Sequence, residues 1–397
     1  ISISNLVFRM KKNAVGLATI AILSSMVLVT LVGAASIYAG KKDYLASVAP
    51  HDYSVTGTNV DLTSTEKIMD DFLEQSGNQV NEKAEVTYLY FGIKEQENNK
   101  LTIFPENERK VLPKSIFLVF SQATYKQLTG KDLNLTSNQV GLFTKNKTLK
   151  DQKSLSFNGQ NYQIQNDLND FIKGKVPNIF TIIVSDYNYL VVPDMDDFKE
   201  SIKGTATTQA TYVGVNVKDP THDAKKNSDL LDQMTDKETQ QLAGQTTGVS
   251  QSYLTANSRY DAEGMVNGFV GGTFFIGIFL SIIFMLGTVL VIYYKQISEG
   301  YEDRERFVIL QKIGLDDLQV KQTIRKQVLT VFFLPLIFAF IHLAFAYHML
   351  SLIVRIIGVF NPSLMLVVTI IVCGVFFLAY VLVFALTSRS YRRIVSM

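Results

Sequence analysis

The stretch GMVNGFVGGTFFIGIFLSIIFMLGTVLVIYYKQISEGYEDRERFVILQKIG, residues 264–314, decides the fold. From Gly264 to Tyr294 it carries no charged side chain, and a helix needs roughly 20 apolar residues to cross a hydrocarbon core. Three further charge-free windows follow the same rule, at Asn13 to Gly40, Gln327 to Val354 and Ile356 to Ser388. Four spans are therefore available, which excludes a purely soluble protein. Whole-chain averages conceal this division: 397 residues, 47% hydrophobic, 19% charged, net charge +2.

Divided at the spans, the charge becomes informative. Lys41 to Gly264 holds 24 Lys and Arg against 30 Asp and Glu, a net of −6. The N-terminal arm, the segment between the second and third windows and the C-terminal tail together carry 13 basic and 6 acidic residues, a net of +7, and Arg355 adds the last +1. Short cytoplasmic loops are enriched in Lys and Arg. Both termini and the segment Lys295 to Lys326 are thus expected inside, and the acidic segment outside with the short turn at Arg355 to Ser363. The reading gives a cytoplasmic arm (1–14), a first span (15–40), an extracellular domain (41–264), a second span (265–294), a cytoplasmic loop (295–327), a third span (328–354), an outer turn (355–363), a fourth span (364–388) and a tail (389–397). Arg9, Lys11 and Lys12 precede the first span as in a signal peptide, but the span is too long for an h-region and no A-x-A site precedes Lys41-Lys42-Asp43, so it reads as a retained helix. Tyr38, Tyr44, Tyr293, Tyr294, Tyr347 and Tyr391 cluster near span ends, where amphipathic rings favour the interface.

The outer segment mixes both periodicities and reads as α+β. Strands are expected at Tyr53 to Val60, Ala84 to Ile93, Lys100 to Phe104, Ser115 to Phe120, Asn178 to Val184, Tyr189 to Val192 and Tyr212 to Val217. Asn158-Gly159, between Ser154 to Phe157 and Tyr162 to Gln165, signals a hairpin. Helices are expected after the caps Ser64, Asp194 and Asn227, covering Thr65 to Gln75, Met195 to Ile202 and Ser228 to Leu242. The polar stretch Gly244 to Asn257 is expected to lead back into the membrane. The single cysteine, Cys373, lies in the fourth span, so the outer domain has no disulfide and needs an ordinary core.

Motifs for catalysis are missing: no G-x-x-x-x-G-K-[ST], H-E-x-x-H or G-x-S-x-G occurs, and the four histidines are scattered at 51, 222, 342 and 348. Asp194, Asp196 and Asp197 read as a solvated charge run. No metal site, no bound cofactor and no nucleic-acid partner is expected. The cytoplasmic loop is more telling. After Gly300, the apolar Phe307, Leu310 and Ile313 fall on one helical face beside the mixed-charge cluster Glu302, Asp303, Arg304, Glu305 and Arg306, with Gly314 as a stop. Such a short amphipathic helix suits docking in a partner's groove, and equally suits lying on the lipid interface.

Small residues give a second signal. Gly264, Gly268 and Gly272 recur every four residues with Gly271 beside them, and Ala35, Ser36, Ala39 and Gly40 form a similar strip in the first span; together they are expected to pack the two spans. In the third span His342 reads as an interhelical hydrogen-bonding group and Pro335 as a kink.

The loop sequence E-x-x-E-D-R-E-R-F-x-I-L-Q-K-I-G resembles the coupling helix of FtsX-like (type VII) ABC permeases, and the one-plus-three order of spans around an outer domain is similar to theirs. YYKQISEGYEDRERF (293–307), IRKQVLTVFFLPL (324–336), HLAFA (342–346) and FRMKKNAVGLATI (8–20) resemble the Bce-type peptide-resistance permeases within that superfamily. The resemblance covers Asn5 to about Tyr44 and Gly268 to Tyr391; the outer domain matches mainly in size and position. It implies a non-catalytic subunit in a bacterial plasma membrane, with ATP and Mg used by a separate homodimeric ATPase that docks on Phe307, Leu310 and Ile313. It further implies an outer domain that handles antimicrobial peptides, such as bacitracin or lantibiotics, bound to cell-wall lipid intermediates, and association with a membrane histidine kinase. That family has ten membrane helices, so four imply a truncated or split permease whose N-terminal half lies elsewhere. Ligand-contacting residues are assigned only to the interval 41–264. Rival readings are an FtsX-like regulator of a cell-wall hydrolase, a lipoprotein or macrolide exporter, and a membrane-tethered enzyme.

Overall fold

A computed structural model describes residues 14–108, 113–177, 184, 186–243, 251–312, 317–356 and 361–395, with side chains except at 299, 302–312, 317–331, 356 and 388–395. The helices are α1 (Ala14–Ala39), α2 (Lys41–Val48), α3 (Leu62–Ser76), α4 (Gln122–Thr129), α5 (Lys147–Lys150), α6 (Met195–Ser201), α7 (Ala224–Ala243), α8 (Arg259–Lys312), α9 (Asp317–Ile356) and α10 (Pro362–Val395). The strands are β1 (Tyr53–Thr58), β2 (Val80–Glu97), β3 (Lys100–Ile103), β4 (Ser115–Ser121), β5 (Gln139–Thr144), β6 (Ser154–Phe157), β7 (Gln160–Asp167), β8 (Asp186–Val192), β9 (Thr207–Val217) and β10 (Tyr253–Ser258). Two compact units result, Lys42–Asn267 and the remainder.

In the sheet-rich unit β2 does two jobs. Its first half joins β9, β1 and β10 in an antiparallel sheet. Its second half pairs with β4 on one side and β3 on the other, and the ring β2-β4-β8-β5-β7-β6-β3 closes on itself. Closure removes free edges. The apolar runs SIFLVF and YNYLVV are continuous because both strand faces are buried: Phe117, Val119, Leu190 and Val192 point into the ring with Phe91 and Phe157, while Ile116, Leu118, Phe120, Tyr187, Tyr189 and Val191 meet Tyr125 of α4 and Phe171 outside it. Each fully buried side chain of this size stabilises by about 1.5–3 kcal/mol. On the antiparallel sheet, Tyr53, Val55, Val213, Val215 and Leu254 pack against Met69, Phe72 and Leu231 of α3 and α7. β10 lies at the edge, and the Thr239 hydroxyl bonds both the N–H and the C=O of Leu254 at 3.0 and 3.2 Å, closing that position to another strand.

Several expectations need adjustment. Asp61, rather than Ser64, caps α3: its carboxylate accepts from the Ser64 N–H at 2.8 Å and the Ser64 hydroxyl at 2.7 Å, which holds its pKa below the usual carboxylate value. α7 begins at Ala224, ahead of the expected cap Asn227. Part of the stretch expected to lead straight to the membrane is β10. Strand β5 and helix α4 were not expected. The Asn158-Gly159 hairpin forms, with φ of 49° and 94° at the two turn residues, both positive as a type I′ turn requires. The strand expected at Asn178 to Val184 lies, save Val184, outside the described residues.

In the helical unit, Ala14–Ala39, Arg259–Ser298, Phe332–Arg355 and Pro362–Thr387 are each long and apolar enough to cross a membrane. Their core brings together Val27, Leu28 and Val32 of α1, Ile292 of α8, Leu336, Ala339 and Leu343 of α9, and Phe376 and Tyr380 of α10. The apolar window of α1 is 39% buried against 17–22% for the others, so α1 is the enclosed helix. The others keep broad apolar faces, with Phe279, Leu286, Phe345 and Leu378 exposed. α9 runs through Pro335, which offers no N–H to the carbonyl four residues earlier. One residue on, the Phe332 carbonyl accepts a hydrogen bond from the buried Tyr380 hydroxyl at 2.9 Å.

Candidate functional site

Glu302, Asp303, Arg304, Glu305, Arg306, Phe307 and Leu310 all lie in the last turns of α8, which passes Gly300 without a break. The separate short helix expected after Gly300 is thus the end of a 54-residue helix. Phe307 and Leu310, three residues apart, share a face. Ile313 and Gly314 lie outside the described residues.

The seam between α1 and α8 can be followed pair by pair. A Cβ on Gly16 would lie 3.2 Å from Lys295 Nζ, one on Gly287 would lie 3.6 Å from Leu23 Cδ1, and one on Gly277 would lie 2.3 Å from Ala34 Cβ. Between the last two the Thr30 and Ser281 hydroxyls are 3.0 Å apart, and past Ala34 and Gly277 Tyr38 stacks on Phe274 at 4.4 Å. Numbers rise in α1 as they fall in α8, so the helices are antiparallel, and positions 16, 23 and 30 recur at the heptad spacing of left-handed packing. The expected glycine strip is not at this seam. Gly264, Gly268, Gly271 and Gly272 have no atom within 4 Å of an added Cβ. At about 100° per residue, Gly277 stands on the opposite side of the helix from Gly268. Of the expected α1 strip, Ser36 is fully buried and Ala35 packs on the bundle core, but Ala34 makes the close approach. His342 Nδ1 lies 3.0 Å from the Ser25 hydroxyl, an interhelical hydrogen bond between α9 and α1.

A third constellation sits where the chain enters and leaves the sheet-rich unit. Tyr53 and Ser258 are the last ladder partners, and Asp52 and Arg259 are the residues just outside the ladder. The Arg259 N–H donates to the Asp52 carbonyl at 2.8 Å. Its guanidinium donates from Nη1 to Asp52 Oδ1 at 3.1 Å, from Nε to the Ala49 carbonyl at 3.3 Å and from Nη2 to the Pro50 carbonyl. Asp52 Oδ2 accepts from the Val217 N–H at 3.0 Å, and the Asp52 N–H donates to Asn216 Oδ1 at 3.1 Å. Hydrogen bonds to charged groups contribute about 1.5–3 kcal/mol each when enclosed; the Asp52 side chain is 9% exposed. Ser258 caps α8, accepting from the Asp261 N–H at 3.1 Å and donating to its carboxylate at 2.8 Å, and the Ser228 hydroxyl of α7 lies within hydrogen-bond reach of both side chains. The serine with an acid three residues on was legible as a capping box. The Asp52–Arg259 pairing was not, since 207 residues separate them.

His51 is buried beside this cluster, its Nδ1 2.7 Å from the Tyr212 hydroxyl. Burial pushes its pKa below 6.5, with Arg259 acting the same way against Glu82 and Asp52. Near pH 6 the unfolded chain therefore holds more protons than the folded one, so stability rises with pH across that window and is lost as pH falls below 6.5. Amide protection of β1 and β9, corrected for intrinsic exchange, is expected to fall between pH 7 and 5 in the parent, and to fall less in His51→Gln.

At the far end of the ring, Asn188 is fully buried and donates to Ser115 while accepting from Thr144. Asp186 pairs with Asn146 at 2.6 Å, and burial raises its pKa and that of Asp170. Lys145 lies 4.7 Å from the Tyr187 ring centre and donates to its hydroxyl. Among the described residues no three His, Cys, Asp or Glu side chains are grouped to hold a metal.

Four helices of membrane-spanning character and one sheet-rich unit make a multi-pass membrane protein. Curated relatives agree. The chain is similar to the ABC transporter permease protein YxdM of Bacillus subtilis strain 168, 35% identical over 77 residues, 19% of this chain and 12% of that protein. It is 30% identical over 121 residues to the uncharacterized ABC transporter permease YvcS of that strain, 30% of this chain and 18% of the relative. With its bacitracin export permease protein BceB it shares 29% identity over 138 residues, 35% of this chain and 19% of the relative. On these matches the chain groups with ABC transporter permeases of the Bce-type kind, across 12–19% of those relatives' own length. No family model matches it.

Proposed function

We propose that the chain belongs to the permease of an ABC transporter that removes antimicrobial peptides from lipid intermediates of cell-wall synthesis and reports their presence to a membrane histidine kinase. The observation that carries this reading is α8, an unbroken helix from Arg259, the residue after β10, to Lys312, which takes in the Glu302–Leu310 segment. In this reading the termini and that segment are cytoplasmic, since the inner segments hold the net +7 and the outer domain the net −6. A homodimeric ATPase grips the end of α8, with Phe307 and Leu310 as apolar anchors and the charges of Glu302 to Arg306 setting partner choice. ATP and Mg are bound there and not by this chain. Closure of the ATPase displaces α8, and the outer domain changes shape around its ligand.

Deletion of the gene followed by a panel of peptide antibiotics tests the function. Hypersensitivity to some peptides, restored by the parent gene, is the expected outcome. A division defect without hypersensitivity would replace this reading with that of an FtsX-like regulator.

A further inference from the structure

We propose that Arg259 and Asp52 are a positioning pair: a clasp that makes the first turn of α8 and the β10-β1-β9 sheet move as one piece. The inference rests on the reading that a separate ATPase drives the chain, and is independent of which peptide is handled.

A helix that merely follows a strand can swing through the φ and ψ of the junction, and its first four N–H groups have no partner within the helix. Ser258 and Asp261 satisfy part of that deficit and fix the shape of the first turn, but a cap does not fix the turn's place on the sheet. Arg259 does. A guanidinium is a rigid fork of donors, and here it is spent on three acceptors of one short segment, the carbonyls of Ala49 and Pro50 and the carboxylate of Asp52. The other oxygen of Asp52 holds the Val217 N–H, and its backbone N–H is held by Asn216. Both partners lie on β9, the strand between β1 and β2. β2 in turn is a strand of the closed ring. A chain of hydrogen bonds thus leads from the first residue of α8 through one carboxylate to β9 and so to the ring. The same fork holds the segment that follows α2, and Asn257 adds a bond to the Val48 carbonyl at 2.8 Å. The incoming and outgoing strands are thereby tied to each other, so displacement of α8 is passed on as movement of the whole sheet instead of being lost in a hinge.

The Arg259 N–H to Asp52 carbonyl bond of 2.8 Å holds the two backbones together, and a disulfide needs Cα atoms within about 4.4–6.8 Å. The test is the complete permease, purified with its ATPase, carrying Asp52→Cys, Arg259→Cys and Cys373→Ser. Under reductant the clasp is absent; an added mild oxidant takes two electrons and two protons from the thiols and rejoins the positions. The readout is the difference in amide exchange of β1 and β9 between the nucleotide-free and ATP-trapped complex. The parent is expected to show that difference, the reduced variant to lose it with the ATPase still bound and basal hydrolysis unchanged, and the oxidised variant to regain it. Arg259→Lys, which keeps the cation without the fork, is the second variant in case the first does not fold, and is expected to show a diminished difference. A full difference in the reduced variant or in Arg259→Lys overturns the clasp alone. No difference in the parent overturns the ATPase-driven reading and the clasp with it.

Discussion

Gly277→Leu is expected to prevent α1 and α8 from packing, so that the variant reaches the membrane at a small fraction of the parent's level, while Gly268→Leu accumulates normally. Even the Cβ of alanine at position 277 would stand 2.3 Å from the Ala34 Cβ, well inside van der Waals contact. Forcing added methylenes into a packed site costs about 1–3 kcal/mol, and leucine adds three more carbons to that first one. Relief by separating the helices would break the Thr30–Ser281 hydrogen bond one turn to one side and the Tyr38–Phe274 stack one turn to the other. Between helices in a bilayer such close packing and polar contact are the main attraction, since lipid tails are as apolar as the side chains. At Gly268 nothing lies within 4 Å of an added Cβ, so a leucine there meets open space. Immunoblots of membranes, with cysteine crosslinking between positions 30 and 281, check both variants; equal accumulation and crosslinking would refute the seam.

The second large effect is at the other end of α8. Phe307→Ala with Leu310→Ala is expected to release the ATPase while the protein still inserts, because the pair shares one helix face and supplies the apolar anchors of the proposed contact. Truncating an anchor at the centre of an interface typically costs about 2–4 kcal/mol, so two such losses weaken binding by roughly a thousandfold or more. Changes to single charges among Glu302 to Arg306 are expected to alter the salt dependence of association more than its strength. Co-purification at two ionic strengths checks this. An ATPase retained by the double variant removes the docking assignment.

Much of the fold was legible because burial writes itself into composition. The charge-free windows match the four apolar helices, and the runs at residues 115–120 and 187–192 are continuous because both of their faces are covered. Asn158-Gly159 declared its turn through the only residue types that enter that conformation cheaply. The misses share another cause, since they depend on partners distant in sequence. β10, with Tyr253, Thr255, Asn257 and Ser258, looks like a polar linker until β1 is beside it. The length of α8 is hidden by Gly300, a residue that costs a helix only about 1 kcal/mol and does not stop it. For the site, spacing marks Glu302 to Leu310 as amphipathic and only the resemblance makes it a docking segment, whereas the close approach is at Gly277, on the other side of the helix from the glycine run four residues apart. Nothing local distinguishes a glycine that faces a neighbour from one that faces open space. Arg259 and Asp52 escaped for the same reason, each being an ordinary charge until the fold brings them together.

The most direct test of the account is hydrolysis by the complete permease reconstituted with its ATPase in lipid, measured with and without a cell-wall-directed peptide bound to its lipid intermediate. The peptide complex is expected to change the hydrolysis rate for the parent and to have no effect once Phe307→Ala and Leu310→Ala are introduced. A parent that binds no ATPase, or an ATPase whose rate responds to peptide equally with the double variant, would contradict it.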